Sequence, residues 1–369
     1  MPHQNVFKQG RSAQRQWKTT FVCALAVPLM AACSSGDGPA LQADSQSSAR
    51  ETGAAPGQIP GLNLKATTAF ETPAPITAAS FVPNLIASWF SQIIMVDIDG
   101  NLHRAVTSSL KTQPVIKGDY VDVFGFSRRQ EAGLFLALTD DGDLEAFIES
   151  DDEGNFNRVA ISSSAKKLAS FCHDSAPLDL DEGGDILWAL GVDGTLAKLN
   201  IRVNNDTAVS LETIGSANPT KNAPKVTDVC AVSGSKNLVL SESSKKILRL
   251  YDEANQSWTK LEVGTPFLDF TVLGLSPTPS FFVLDKPAAK TEDSRLFYHE
   301  GASTHPITIT NGLSIKGVSL PGFSAVTQAK LGGALNSGAL LVSDPQSGNG
   351  RIVLMSLDYV KRTLNSPSQ

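Results

Sequence analysis

The sequence predicts an all-β fold, a six-bladed β-propeller of four-stranded antiparallel blades. Three observations predict it. Six runs join an apolar strand to a polar turn and an alternating strand: "SQIIMVDIDGNLHRAV", "GLFLALTDDGDLEAFI", "DILWALGVDGTLAKLNI", "NLVLSESSKKILRLYD", "SFFVLDKPAAKTEDSRLFYH" and "GALLVSDPQSGNGRIVLMSL". Each carries the pattern of a β-hairpin. Their strands start near residues 93, 134, 186, 237, 280 and 339, spaced by 41, 52, 51, 43 and 59 residues, the period of a repeated supersecondary unit. Helical periodicity is nearly absent, so parallel strands alternating with helices would have no helices to build them.

The N-terminal segment stands outside this pattern. Residues 1–18 carry Lys8, Arg11, Arg15 and Lys18 with no acid, and the uncharged run "TTFVCALAVPLMAA" follows. At about fourteen residues that run suits a signal-peptide core and is short for a membrane span. It ends in "LMAAC", which resembles a bacterial lipobox with Cys33 as the acylated residue, although Met30 stands where Leu is usual. Residues 1–32 are then a lipoprotein signal, and Ser34 after the cysteine resembles lipoproteins sorted to the outer membrane, facing the periplasm or the surface. Acyl chains add about 0.8 kcal/mol per buried methylene, so two or three of them hold a soluble domain at a bilayer.

Residues 33–72 are rich in Ser, Gly, Ala, Pro and Gln with few large apolar side chains, the composition of a flexible tether. Residues 73–365 have ample material for the propeller. Without residues 1–32 the chain has 27 basic and 37 acidic residues, a net charge of −10. That balance, with no basic run, argues against nucleic acid as a partner. The membrane is met through the lipid anchor. Cys172 and Cys230 remain in a compartment that permits disulfides.

Within the propeller, each hairpin is preceded by a strand for the inner edge of the blade: "ITAASFV", "DYVDVFGF", "KLASFCH", "KVTDVCAV", "FLDFTVLGL" and "LSIKGVSL". Runs such as "FNRVAIS" and "SWTKLEV" supply outer strands. The second hairpin gathers Asp140, Asp141, Asp143 and Glu145 around Gly142, which invites comparison with a calcium loop. An EF-hand with Gly142 sixth would put Ala137 first, Thr139 third and Ile148 twelfth, and tests on Gly100 and Gly154 fail likewise. These acids are expected to be hairpin-turn chemistry. His299 and His305 lack the spacing of a metal-binding helix and are expected to be exposed on a turn, as is His103. There is no G-x-S-x-G elbow, no Gly-rich phosphate loop and no C-x-x-C.

The order of the runs resembles the β-propeller phytases, six-bladed calcium-dependent phosphatases acting on inositol phosphates. "LIASWFSQIIMVDIDGNLHRA" looks like that family's first blade, "DYVDVFGF" like its second inner strand, and "SIKGVSLPGF" with "SGALLVSDPQSGN" like its last blade. Carried over residue by residue, the site the resemblance implies is eroded. The paired acids of the first blade become "TAAS" at Thr77 to Ser80. Asp122 matches an acid, while Phe124 stands where an Arg would contact phosphate. "LASFC" has no acid, "TDVC" keeps Asp228, "FLDF" keeps Asp269, and Lys316 takes the place of an acid in the sixth blade.

Calcium wants six to eight oxygens, and phosphoester hydrolysis at such a site needs several ions. The resemblance therefore implies a calcium site reduced to Asp122, Asp228 and Asp269, with Lys316 able to replace one ion by pairing with Asp269 or Asp228. It also puts Cys172 and Cys230 on adjacent inner strands at near-equivalent positions, either as a disulfide or as two buried thiols. The expected function is a propeller that binds a protein partner or a phosphorylated ligand. The alternatives are an active calcium-dependent phosphatase with a rearranged site, or a scaffold lipoprotein of an outer-membrane assembly.

Overall fold

Three of the hairpins turn on a glycine that must adopt positive φ. Gly100, Gly142 and Gly194 sit at +83°, +82° and +84°. In each, the glycine N–H donates to the carbonyl three residues earlier: Asp97 at 3.0 Å, Thr139 at 2.9 Å and Gly191 at 2.9 Å. Asp97, Thr139 and Gly191 in turn donate to the carbonyls of Asn101, Asp143 and Thr195. This is a type I turn closed by a left-handed glycine, one of the favoured hairpin connections. The "DIDG", "TDDG" and "GVDG" stretches are turns of this one kind.

The computed structural model describes residues 61–366, apart from 85, 127–132, 151–154, 164–166, 174–184, 205–206, 218–225, 232–236, 243–246, 253–254, 256, 264–265, 275–277, 287–292 and 346–348. Strands β1 (Leu62–Lys65) and β2 (Thr68–Glu71) come first. Then follow β3 (Ile76–Val82), β4 (Gln92–Asp97), β5 (Leu102–Val106) and β6 (Thr112–Ile116), then β7 (Tyr120–Phe126), β8 (Leu134–Thr139), β9 (Leu144–Glu149) and β10 (Phe156–Ser163). The third group is β11 (Leu168–His173), β12 (Asp185–Gly191), β13 (Leu196–Asn204) and β14 (Ala208–Ala217), and the fourth β15 (Val226–Ala231), β16 (Asn237–Glu242), β17 (Ile247–Asp252) and β18 (Ser257–Glu262). The fifth is β19 (Phe267–Gly274), β20 (Ser280–Asp285), β21 (Leu296–Glu300) and β22 (Ser303–Thr310). Last come β23 (Ser324–Thr327), β24 (Ala339–Asp344), β25 (Arg351–Ser356) and the helix α1 (Leu357–Asn365).

Each group is an antiparallel unit in chain order. β2 pairs with β25 and supplies the fourth strand of the last unit, and β1 pairs in parallel with β22 on the outside of the fifth. The second and third units also join along their outer strands through parallel pairing of β10 with β14. Contacts between units run β3 to β7, β7 to β11, β11 to β15, β15 to β19, β19 to β23 and β23 back to β3. First strands in cyclic contact, with each sheet extending away from them, make an all-β propeller. The ring is closed by the N-terminal β2 completing the C-terminal unit.

The second strands are the apolar floor of every blade. β4, β20 and β24 are buried at all six positions, as expected where both faces of a sheet are covered by neighbouring sheets. The core lies between blades: Val82, Ile94 and Val96 of the first blade with Tyr120, Phe135 and Phe147 of the second, where Phe135 stacks on Phe147 at 4.7 Å and meets Phe156 edge-on at 4.8 Å, a geometry that adds to their area burial. Buried acids end three of these strands. Asp97 accepts from the Asp99 and Asn101 N–H groups, Asp285 from Arg295, and Asp344 from Arg351.

Three expectations are corrected by the strands themselves. The propeller begins at Leu62, within the span read as tether, because Leu62, Leu64 and Phe70 alternate into the core. The inner strand of the last blade is β23, "SAVT", and not "LSIKGVSL"; residues 313–320 form a connection that touches the fifth blade through Val318 paired with Ile309. The chain ends in a helix. Leu357 and Val360 are buried against β1, β24 and β25, with Leu364 packed beside them, spaced to share one helical face.

Candidate functional site

The inner strands share a feature that points to the mouth of the propeller. In β3, β7, β11, β15 and β19 the register slips by one residue at the same place, between Ile76 and Ala78, Tyr120 and Asp122, Leu168 and Ser170, Val226 and Asp228, and Phe267 and Asp269. Such bulges are concentrated at rims and beside sites, where they re-aim side chains. The bulged residue itself is exposed at Thr77, Val121 and Leu268, with Val121 38% and Leu268 40% accessible. All these bulges lie near the first residues of the inner strands, at the end of the propeller that carries the hairpin turns.

The residue after each bulge forms a ring: Ala78, Asp122, Ser170, Asp228 and Asp269. The three sequence-predicted ligands are therefore register-equivalent, one on each of three blades. Asp122 is on the second blade and Asp269 on the fifth, opposite each other in the cycle, with Asp228 on the fourth. Asp122 Oδ1 accepts the Val123 N–H at 2.8 Å. Asp269 Oδ2 accepts the Ser324 N–H at 3.3 Å, on the inner strand of the next blade. The backbone of Asp228 is placed by its pairing with Ser241, and its side chain lies outside the described residues. Among the described residues no group of three acids, histidines or cysteines is arranged to hold a metal ion.

Two residues further along each inner strand is a second ring: Ser80, Phe124, Cys172, Cys230 and Thr271. Its hydroxyls tie neighbouring blades. Ser80 Oγ accepts the Gly125 N–H at 3.0 Å, and Thr271 Oγ1 donates to the Ser324 carbonyl at 2.7 Å. Cys172 is buried among Trp188, Leu190, Leu238 and Tyr251. It shares this register position with Cys230 on the adjacent β15; the Cys230 side chain, and with it the pairing, lies outside the described residues. Phe124 packs on Phe126 and Phe171 at 5.4 and 6.2 Å, so the place the resemblance gives to a phosphate-binding Arg is part of an aromatic cluster.

Lys316 is corrected with its segment. It is exposed on the connection before β23, and its carbonyl accepts from Arg351 at 2.9 Å. It stands in no inner strand and occupies no ring position. The candidate site residues that sequence reasoning missed are Val121 and Leu268. An exposed apolar residue directly before an inner-strand Asp, in "YVDV" and "FLDF", is the signal that could have found them.

The histidines were expected on exposed turns, and two are not. His103 is buried, with Nε2 2.8 Å from Asp97 Oδ2. Burial raises the Asp97 pKa, but the hydrogen bonds from His103, Asn101 and the backbone outweigh it and hold the carboxyl below the usual range. His299 is buried, stacked on Phe281 at 5.1 Å and paired through Nδ1 with Thr304 Oγ1 at 3.0 Å. Burial, and after it the nearby His305, pull its pKa down to about 4. Strand pairing explains both cases: each His points inward from a strand flanking a turn. The acids of the second hairpin are likewise engaged. Asp143 pairs with Lys167 at the start of the next blade, and Glu145 accepts from the Tyr120 hydroxyl at 2.6 Å and pairs with Arg158 at 2.7 Å.

Fold and site together define a β-propeller with an apolar-rimmed mouth and register-equivalent inner-strand carboxylates. No protein-family model matches the chain, and no curated protein matches it. Solved structures similar to it include one described as "YCF48 bound to D1 peptide", 9% identical over 76% of this chain and 77% of that one with a TM-score of 0.39. Another is the "Crystal Structure of the N-terminal Domain of Nup159", 11% identical over 72% and 73% with a TM-score of 0.39. Likenesses this distant carry no argument about this chain.

Proposed function

We propose that this chain is an envelope lipoprotein, anchored through Cys33, whose propeller binds a protein partner at its mouth, on a scaffold of phytase-like ancestry that has lost the phosphatase site. The observation that carries the reading is the composition of the bulge ring. Phosphate chemistry calls for convergent cations and oxygens. Here the bulged positions carry exposed Val121 and Leu268, and Asp269 is spent on the backbone of the neighbouring blade. Exposed apolar side chains on a rigid rim suit a protein segment better than a phosphorylated small molecule.

Two measurements test it. Incubation with calcium and phytate is expected to release no phosphate; release that Asp228→Ala abolishes would overturn the proposal in favour of a calcium-dependent phosphatase. A photo-crosslinking residue placed at Val121 or at Leu268 is expected to give one and the same envelope-protein adduct from both positions. The same probe at Ile214, 50% exposed on the outer strand β14, is expected to give none.

A further inference from the structure

The opposite end of the propeller carries a patch that the mouth does not use. The connection between β3 and β4, "PNLIASWFS", has no charged residue and presents Ile86, Trp89 and Phe90 at 74%, 55% and 54% exposure. The described residues of the segment are tied down by hydrogen bonds. Asn84 Oδ1 accepts the N–H groups of Ile86 at 3.1 Å and Ala87 at 2.8 Å, and the Asn84 N–H donates to Ser91 Oγ at 3.0 Å. A 3-10 turn over Ser88–Phe90 follows. Thr107 Oγ1 bonds the carbonyls of Trp89 at 3.4 Å and Leu331 at 3.1 Å. Gly332, at φ +81°, lies so close beneath Trp89 that a Cβ there would come within 3.0 Å of the Trp89 backbone. The fold therefore commits hydrogen bonds and a positive-φ glycine to holding two aromatic rings out in water. Large apolar side chains held rigidly outward mark an interaction surface.

The surroundings say what kind of surface. The patch continues through residues 331–338 to α1, whose Leu357 N–H donates to the Gly338 carbonyl at 3.0 Å and whose Asp358 N–H donates to Ser337 Oγ at 3.2 Å. α1, the β5–β6 turn and the β23–β24 connection carry Lys111, Lys330, Lys361 and Arg362 against Asp358, with Glu300 at the same end on the β21–β22 turn. α1 packs on β1 through Leu357, Val360, Leu62 and Leu64. β1 runs parallel to β22, so its N-terminal end faces the same end of the propeller as the β21–β22 turn. By antiparallel alternation, that end also carries the β3–β4 connection. The residues leading back to Cys33 thus join the propeller on the side where the aromatic patch and the cations lie.

We propose that this face docks on a lipid bilayer, with Trp89, Phe90 and Ile86 entering the headgroup boundary beside the anchor. Trp and other aromatic residues favour that boundary, where an apolar ring and a polar edge are both satisfied, and nearby lysines add attraction to anionic headgroups. The proposal rests on the lipid-anchor reading of Cys33. Docking would fix the propeller with its mouth turned away from the membrane, toward a partner.

The test uses the full processed chain, acylated at Cys33 and reconstituted into vesicles of phosphatidylethanolamine and phosphatidylglycerol. Some vesicles carry phospholipids brominated near the headgroup. Bromolipid is expected to quench part of the tryptophan emission, and Trp89→Phe is expected to remove that quenched part, while emission from Trp188 and Trp258 stays unquenched. Equal quenching in Trp89→Phe and the parent, or none in either, overturns the docking. A concentration-dependent dimer in detergent that Trp89→Phe with Phe90→Ala dissociates overturns it in favour of a second copy. The mass of the N-terminal peptide separates the two readings. Acylated Cys33 without quenching defeats only the docking, whereas a Cys33 without acyl chains defeats the anchor.

Discussion

Removing the buried ion pair of the last blade is expected to reveal what closes the ring. Arg351 Nη2 lies 2.7 Å from Asp344 Oδ2, with the two side chains 9% and 5% exposed. The guanidinium also holds the carbonyls of Lys316 at 2.9 Å and Gly317 at 2.5 Å, pinning the long connection before β23. Breaking a buried pair by deleting one partner costs about 3–5 kcal/mol, because a charge is left without its counter-ion. The two deletions are not equivalent. In Asp344→Ala the guanidinium keeps both carbonyls, which puts the loss near the lower limit, about 3 kcal/mol. In Arg351→Ala the carboxylate loses its cation, its Oδ1 already has no hydrogen-bond partner among the described residues, and the connection is released; the loss is about 5 kcal/mol. At 1.4 kcal/mol per tenfold, the variants should differ by more than tenfold in unfolding constant. An exposed pair, Asp358 with Arg362 at 2.9 Å, serves as the control, where Asp358→Ala should cost about 0.5 kcal/mol. Equilibrium unfolding in urea, followed by far-UV circular dichroism and tryptophan fluorescence together, reads all three. If Asp344→Ala costs as much as Arg351→Ala, or either costs no more than the exposed control, the reasoning is wrong.

Three further outcomes can be measured the same way. His299 has its pKa lowered to about 4 in the folded chain, so the unfolded chain binds a proton there first. Stability should fall as pH drops from about 6.5 toward 4, by up to about 3 kcal/mol, and His299→Phe should flatten that limb of the profile. Asp97 has its folded pKa depressed instead, so its contribution disappears at lower pH, as the carboxyl protonates. Gly142→Ala should cost at least about 1–2 kcal/mol, since φ is +82° and a Cβ would meet the Leu168 carbonyl oxygen at 2.6 Å; Asn at the same site should recover part of the loss. Phe147→Ala, opening the stack between Phe135 and Tyr120, should cost about 3–5 kcal/mol with the secondary structure retained.

Much of this architecture is readable in the chain because a blade is local. An apolar strand, an Asp-Gly turn and an alternating strand specify a hairpin within about sixteen residues, and all six predicted hairpins start within a residue or so of β4, β8, β12, β16, β20 and β24. Failures occur where the partner is remote in sequence. β1 and β2 are four residues each, and their pairing partners lie far away in β22 and β25. An alternation as short as Leu62 and Leu64 does not stand out from a tether rich in Ser, Gly, Ala, Pro and Gln. "LSIKGVSL" alternates as well as a strand does, and it loses to "SAVT" because Arg351 captures its carbonyls and the Gly317 N–H is taken by Asn311 Oδ1 at 2.8 Å. α1 is nine residues long, too short for periodicity to announce, and it is held by packing against β1 rather than by its own propensity.

The mouth was half legible for the same reason. Asp122, Asp228 and Asp269 could be named because each sits in a strand-like run, and the common register slip puts all three in one ring. Their separation around that ring could not be named, since it depends on which blades touch. The slip also explains why Val121 and Leu268 escape a two-residue alternation. A bulge inserts one residue, so the side chain that strict alternation would place inside is turned out. A mouth built this way ties Asp269 to the next blade and leaves Val121 and Leu268 exposed to whatever arrives. The opposite face offers aromatics and lysines beside the strand that leads back to Cys33. On the proposed reading, two unlike surfaces at the two ends of one axis divide the work, one meeting the membrane while the other stays open.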